Sequence, residues 1–257
     1  MFRLIRCSCL SFILYLLSFV HCHDYNLIAI LSQTRKEHNI RKSKERMVKV
    51  AIFGATGKSG SRIQEELLSR GHSVIAIARD ASKVKTGANV EVRTTGDVET
   101  ADLVPLIEGA EVIVHAYAPP FDDTQRLVPF TSRVIEAIKR NGKSQRLVMV
   151  GGAGGLIGDA NGGLVIDQAW FPESYKPIAQ AHIDAFEVVR GSDINWTTLA
   201  PPLVFQPDER TGQFRVGGEA LIISKYGSSI SMEDYAIVLV DEIENPRHVR
   251  ARFTCGY

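Results

Sequence analysis

Residues 45–71 read ERMVKVAIFGATGKSGSRIQEELLSRG. VKVAIF is an apolar run of strand length, rich in β-branched residues. KSGSRIQEELLSRG carries Ile63, Leu67 and Leu68 at helical spacing and ends at Gly71, a C-terminal stop signal. Between them Gly54, Gly57 and Gly60 recur at every third place, so the stretch predicts a strand, a glycine turn and a helix. A phosphate-binding P-loop would need G-x-x-x-x-G-K-[ST]. Gly57-Lys58-Ser59 supplies its end, but the place five before Gly57 holds Ile52, inside the strand. A dinucleotide turn fits better. Gly54 permits the sharp turn, Gly57 lets a pyrophosphate approach the backbone at the helix N-terminus, and Gly60 lets helix and strand pack closely. A turn with no ligand is the competing reading, and the next strand weighs against it.

That strand, HSVIAIARD, ends in Arg79. An acidic residue at this place holds the ribose 2′-hydroxyl of NAD, whereas a basic one accommodates the 2′-phosphate of NADP. Arg79, with Asp80 one place late and Lys83 a turn on, therefore favours NADPH over NADH. A solvated arginine is the alternative.

The rest of the chain continues to alternate. NVEVRTTGDV reads as a third strand ending near Asp97, ADLVPLIEG as a short helix, and AEVIVHAYAPP as a fourth strand. TQRLVPFTSRVIEAIKRNG is a helix stopped by Gly142, and QRLVMVGGAGG is a fifth strand entering a second glycine turn. Periodicity lapses over LIGDANGGLVIDQAWFPESYKP, a glycine-rich loop long enough to cover a site. A helix IAQAHIDAFEVVRGS follows, then a strand INWTTLAPPLVF, a helix SMEDYAIVLVDEIENP opened by Ser231 with Asp234 as its capping acid, and a terminal strand VRARFTCGY. Such alternation predicts a single α/β domain with a Rossmann-like, doubly wound parallel sheet and ligands at the carboxyl ends of the strands. On that frame Asp97 lies near the adenine, Ala116 and Tyr117 beside the middle of the cofactor, and Gly151 to Gly155 at the nicotinamide half. Asp97 is equally a common turn residue and Tyr117 a half-buried ring.

Composition agrees with one core. The 257 residues are 45% hydrophobic and 23% charged with a formal net charge of +1, which argues against nucleic acid as a partner. Of four cysteines, Cys7, Cys9 and Cys22 precede the domain and Cys255 alone belongs to it. That distribution excludes a disulfide framework, and no Cys/His cluster has zinc spacing, so no metal is expected.

Residues 1–46 form a separate N-terminal extension before the domain of residues 47–257. Arg3 and Arg6 precede the apolar run CSCLSFILYLLSFV, which has the order of a secretory signal, is short for a membrane span and lacks a clear cleavage site. A signal or anchor, an amphipathic or disordered extension, and an upstream start are three readings. The methionine placed directly before the first strand favours a start at Met47 and a cytoplasmic location, with export or anchoring if residues 1–46 are genuine.

From Met47 to Tyr257 the chain resembles the atypical short-chain dehydrogenase/reductases, specifically the NADH-flavin reductase family related to biliverdin-IXβ/flavin reductase. The resemblance rests on KVAIFGATGKSG, AIARD, VGGAGG, FPESYKP, FQPDERTGQFRVGG, SMEDYAIVLVDEIENP and RFTCGY. It implies a Rossmann fold in which Gly54, Thr56, Gly57, Lys58, Ser59 and Gly60 line the phosphates and Arg79 the adenosine end. Gly151, Gly152, Gly154 and the Ala200-Pro201-Pro202 segment would border the nicotinamide.

Carbonyl-reducing members of the wider group use a Tyr with a Lys four residues on. Tyr117 is followed at that distance by Phe121, Tyr175 by Ala179 and Tyr235 by Leu239, so the acid/base pair is absent. Hydride transfer to a stacked, electron-poor acceptor asks mainly for positioning in a dry pocket. The expected activity is therefore NAD(P)H-dependent reduction of a planar acceptor such as free flavin, taken as substrate and not held tightly. Tyr117, Tyr175 and His182 are weak candidate assistants, and Trp170 and Phe171 could stack on the acceptor. Binding of the dinucleotide without turnover, as a redox sensor or regulator, is the alternative.

Overall fold

A computed structural model describes residues 46–97, 100–142 and 144–257. The signal-like segment with Cys7, Cys9 and Cys22 lies outside the described residues. Strand β1 (Lys49–Phe53) is buried on both faces, as a run without polar alternation requires in a sheet covered on both sides. Val50 and Ile52 point to one core, Ala51 and Phe53 to the other. At roughly 1.5–3 kcal/mol for each large side chain buried, this strand anchors both layers.

Parallel neighbours flank β1 on each side. On one are β2 (Ser73–Ala78) and β3 (Val90–Thr94); on the other are β4 (Val112–His115), β5 (Arg146–Val150) and β6 (Asn195–Ala200). The order β3-β2-β1-β4-β5-β6 is that of a doubly wound dinucleotide-binding sheet. It continues through β10 (Ala251–Gly256), parallel to β6, to an antiparallel edge strand β8 (Arg215–Gly217). The predicted parallel sheet thus holds, with one antiparallel edge.

Helices cover both faces. α1 (Lys58–Ser69) and α5 (Met232–Glu244) pack on the first core through Ile63, Leu67, Tyr235 and Leu239. The short α2 (Val104–Ile107), with α3 (Leu127–Arg140) and α4 (Lys176–Arg190), covers the second through Ile107, Phe130, Val134 and Ala185. Arg70, just past α1, bonds Glu66, Asp241 and Glu244 and ties α1 to α5. Cys255 is buried and free, and burial pushes its thiol well above its ordinary range.

Two local expectations change. INWTTLAPPLVF is two strands, because Pro201 and Pro202 have no amide to continue the ladder. After them β7 (Val204–Gln206) leaves the sheet and pairs with β9 (Ser229–Ser231). Ser231 does cap α5, its hydroxyl accepting the Asp234 amide at 3.0 Å. Asp234 does not return the bond. Its buried carboxylate accepts from the hydroxyl and amide of Thr211, the amide of Gly212 and the Tyr257 hydroxyl. Those bonds hold the carboxyl below its ordinary value against the opposing effect of burial, and they fasten the loop after β7 to the sheet end.

Candidate cofactor and acceptor site

The switch in strand order falls between β1 and β4, and the residues that follow these strands meet there. Gly54 has φ +83° and its carbonyl accepts the Gly57 amide at 2.9 Å. A Cβ on Gly54 would stand 2.4 Å from the carbonyl oxygen of Ala116. Only glycine allows both the left-handed turn and that approach. Gly57 then opens α1 with no side-chain cap and no acid in the first turn. The first amides of the helix and the positive end of its dipole are thus available to an anion.

A cleft of about 980 Å³ runs along the carboxyl ends of the strands, at the upper end of the range for ligand pockets. Gly54, Thr56, Gly57, Lys58 and Ser59 border it from the turn, Arg79 from β2, and Ala116 and Tyr117 from β4. Gly151, Gly152 and Gly154 border it after β5 and Pro201 after β6. Gly60 does not border the cleft. It packs against the turn, as the glycine spacing rather than the family resemblance implies.

Asp97 also stands outside the lining. Strand β3 ends at Thr94, so Asp97 lies beyond the strand end, in a turn where its carbonyl accepts the amides of Thr100 and Ala101. Thr95 occupies the cleft there instead, with a buried hydroxyl that has no partner among the described residues.

The charges of the cleft are one-sided. Lys58 and Arg79 border it, no carboxylate does, and neither cation forms an ion pair among the described residues. Asp80, which could have competed for a ribose, accepts the hydroxyl and amide of Ser82 at 2.7 and 3.0 Å. Those bonds, the hydroxyl's first, hold its carboxyl below the ordinary range.

Toward β5 and β6 the cleft is tight and apolar. A Cβ at Gly152 would meet the His182 ring and one at Gly154 the Ala179 methyl, at 2.9 and 2.7 Å. His182 borders the cleft with a buried Nδ1 that has no partner among the described residues. Burial lowers its pKa to about 4, so at neutral pH it is an uncharged imidazole and a poor proton source. Behind it His115 bonds Thr131 at 3.0 Å and is lowered to about 3, first by burial and then by the nearby His182.

Tyr117 tilts against Phe130, ring centroids 4.6 Å apart. Tyr175 is half exposed and meets Phe121 edge-on at 5.6 Å. Among the described residues Lys58, on the glycine turn, is the only lysine bordering the cleft, and no Tyr/Lys pair forms there. Trp170 and Phe171 both border the cleft, and Trp170 is 53% exposed.

Sequence reading missed Thr95 and the segment Leu203–Gln206, which lines the cleft after the prolines redirect the chain. The Pro-Pro pair was the available signal for the second.

A family profile described as NAD(P)H-binding matches residues 54–246. The chain belongs to the NAD(P)H-binding family. YwnB of Bacillus subtilis is 35% identical over 213 residues, covering 80% of this chain and 97% of that one. Among solved structures, a candidate NADH-flavin reductase of Streptococcus pneumoniae is 31% identical with a TM-score of 0.74, covering 81% of this chain and 99% of that one. A Burkholderia pseudomallei protein described as a candidate exported protein is 39% identical with a TM-score of 0.73, covering 82% and 100%. The two solved structures share the Rossmann-like fold of this chain across almost their whole length.

Proposed function

We propose that the protein is an NADPH-dependent reductase of a planar acceptor, free flavin being the type. One observation carries the reading: a single cleft joins an end with two cations and no carboxylate to an end walled by uncharged aromatic and aliphatic side chains. NADPH, when bound, supplies a hydride to the acceptor and leaves as NADP⁺, while a proton from solvent completes the two-electron reduction.

The chain's own groups bind, orient and exclude water. The first amides of α1 and Lys58 hold the pyrophosphate, and Arg79 holds the 2′-phosphate. Thr95 offers its hydroxyl to the adenine edge. Gly151, Gly152 and Gly154, packed without side chains against β6 and α4, form a backbone wall for the nicotinamide, and Pro201 closes its far side. Neutral His182 acts through its position, and Trp170 and Phe171 supply faces on which a flat acceptor stacks. The NADH-flavin reductase description of the Streptococcus pneumoniae relative supports the flavin-reducing part of this reading, and Arg79 carries the choice of NADPH.

The test is acceptor-dependent loss of nicotinamide absorbance. Saturable consumption of NADPH with a flavin supports turnover. Saturable NADPH binding with no consumption under any planar acceptor replaces it with a sensing or regulatory role.

We further propose that the functional chain starts at Met47 and works in the cytoplasm, where the reduced dinucleotide pool is. Among the described residues no helix is long and apolar enough to cross a membrane. The signal-like order of residues 1–46 and the exported description of the Burkholderia relative point the other way. N-terminal mass analysis after fractionation of native cells separates the two: a soluble chain beginning at Met47 supports the proposal, and an intact or processed leader with the protein outside the cytoplasm overturns it.

A further inference from the structure

The acceptor end of the cleft has a charge pattern that selects among planar acceptors, an inference that rests on the reductase reading. Trp170, Tyr175, Pro202, Leu203, Val204 and Phe205 border that end, and none carries a charge. On the loops that meet at the Phe121–Tyr175 contact the cations are engaged, Arg126 with Asp123 and Lys176 with Glu173, and Lys225, on the turn before β9, lies over the Tyr226 ring. The first of these loops adds Asp122. No built anion site therefore stands where the tail of an acceptor would emerge.

Lys58 and Arg79, the two cations of the cleft, lie at the far end, where the dinucleotide phosphates would neutralise them. A pyrophosphate and a 2′-phosphate bring more negative charge than those two side chains balance. A phosphorylated acceptor would thus meet an excess of like charge and no compensating partner.

We infer that the enzyme selects an acceptor with no phosphate or carboxylate on its tail, so that an unphosphorylated isoalloxazine is preferred to its phosphate ester. The step is the balanced two-electron reduction stated above, identical for both acceptors; only the electrostatic work of bringing the tail to the rim differs. For about two excess charges on each side at about 10 Å in water, that work corresponds to a preference on the order of tenfold. It should shrink as salt is added, because the screening length falls from about 10 Å at 0.1 M to about 3 Å at 1 M.

The experiment uses the full chain with saturating NADPH and compares riboflavin with FMN, by kcat/KM and by quenching of flavin fluorescence in the presence of NADP⁺. The expected result is a preference for riboflavin of about tenfold at low ionic strength in both readouts, narrowing at high salt. Val204→Lys, at a side chain that is 47% exposed on the rim, should shift the ratio toward FMN by roughly threefold to fivefold. Equal or better use of FMN, or a riboflavin preference indifferent to salt, overturns the inference and leaves the reductase reading intact. Saturable NADPH binding without oxidation by either flavin, or by any other planar acceptor, overturns the reductase reading and the inference with it.

Discussion

A Cβ added at Gly60 would lie 2.1 Å from the carbonyl oxygen of Gly54, so α1 can sit against the end of β1 only with glycine at that place. Gly60→Ala must push the helix away from the turn. An overpacked core position of this kind costs about 1–3 kcal/mol, so urea denaturation should show that loss, and NADPH affinity should fall with it. A variant as stable as the parent would mean that the helix is free to shift.

Arg79 borders the cleft without an ion pair among the described residues, while Asp80 is held by Ser82. Arg79→Ala should weaken NADPH by roughly tenfold to a hundredfold, the range for a charge-assisted bond to phosphate, and change NADH by much less. Calorimetric titration of both dinucleotides measures it. An unchanged preference would remove Arg79 from the cofactor site.

The aromatic end predicts an asymmetric mutational response. Trp170→Ala removes a stacking face and should raise the acceptor KM by about tenfold, the scale of one base-on-aromatic contact. Tyr175→Phe should alter kcat by less than about threefold, because the proposed hydride transfer takes its proton from solvent. A large kcat loss in Tyr175→Phe would show that the hydroxyl delivers a proton.

His115 and His182 give the fold an acid limit. Their folded-state values, about 3 and about 4, lie below the ordinary 6.5, so the unfolded chain takes up protons first as pH falls. Their contribution to stability is complete above about pH 6.5 and is lost as pH falls toward 4 for His182 and 3 for His115. The slope is about 1.4 kcal/mol per pH unit for each group inside its window. His115→Gln, which keeps a donor for Thr131, should flatten the fall of the denaturation midpoint between pH 6.5 and 5. An identical pH profile would assign the acid sensitivity to the carboxylates.

The order of elements was legible because apolar runs and glycine stops recur with two clean periods: VKVAIF could only be buried on both faces, and Ile63 and Leu67 only on one. Arg79 was legible for the same reason, since counting from a well-marked strand fixes its end. Where the strand end itself is soft the count slips. The third strand stops at Thr94, and Thr95 rather than Asp97 reaches the cleft. Asp234 illustrates a different limit. Its spacing from Ser231 matches a capping acid, but Thr211, Gly212 and Tyr257 compete for the carboxylate from parts of the chain far away in sequence. The cleft wall at Leu203–Gln206 depends on the redirection at Pro201 and Pro202, a tertiary event that local periodicity does not record.

The most direct measurement is a crystal structure of the full chain grown with NADP⁺. The account predicts the pyrophosphate over Gly57 and the first amides of α1, the 2′-phosphate within hydrogen-bonding distance of Arg79, and the nicotinamide between Gly152 and Pro201. A dinucleotide bound elsewhere, or one whose 2′-phosphate points away from Arg79 into solvent, would contradict it.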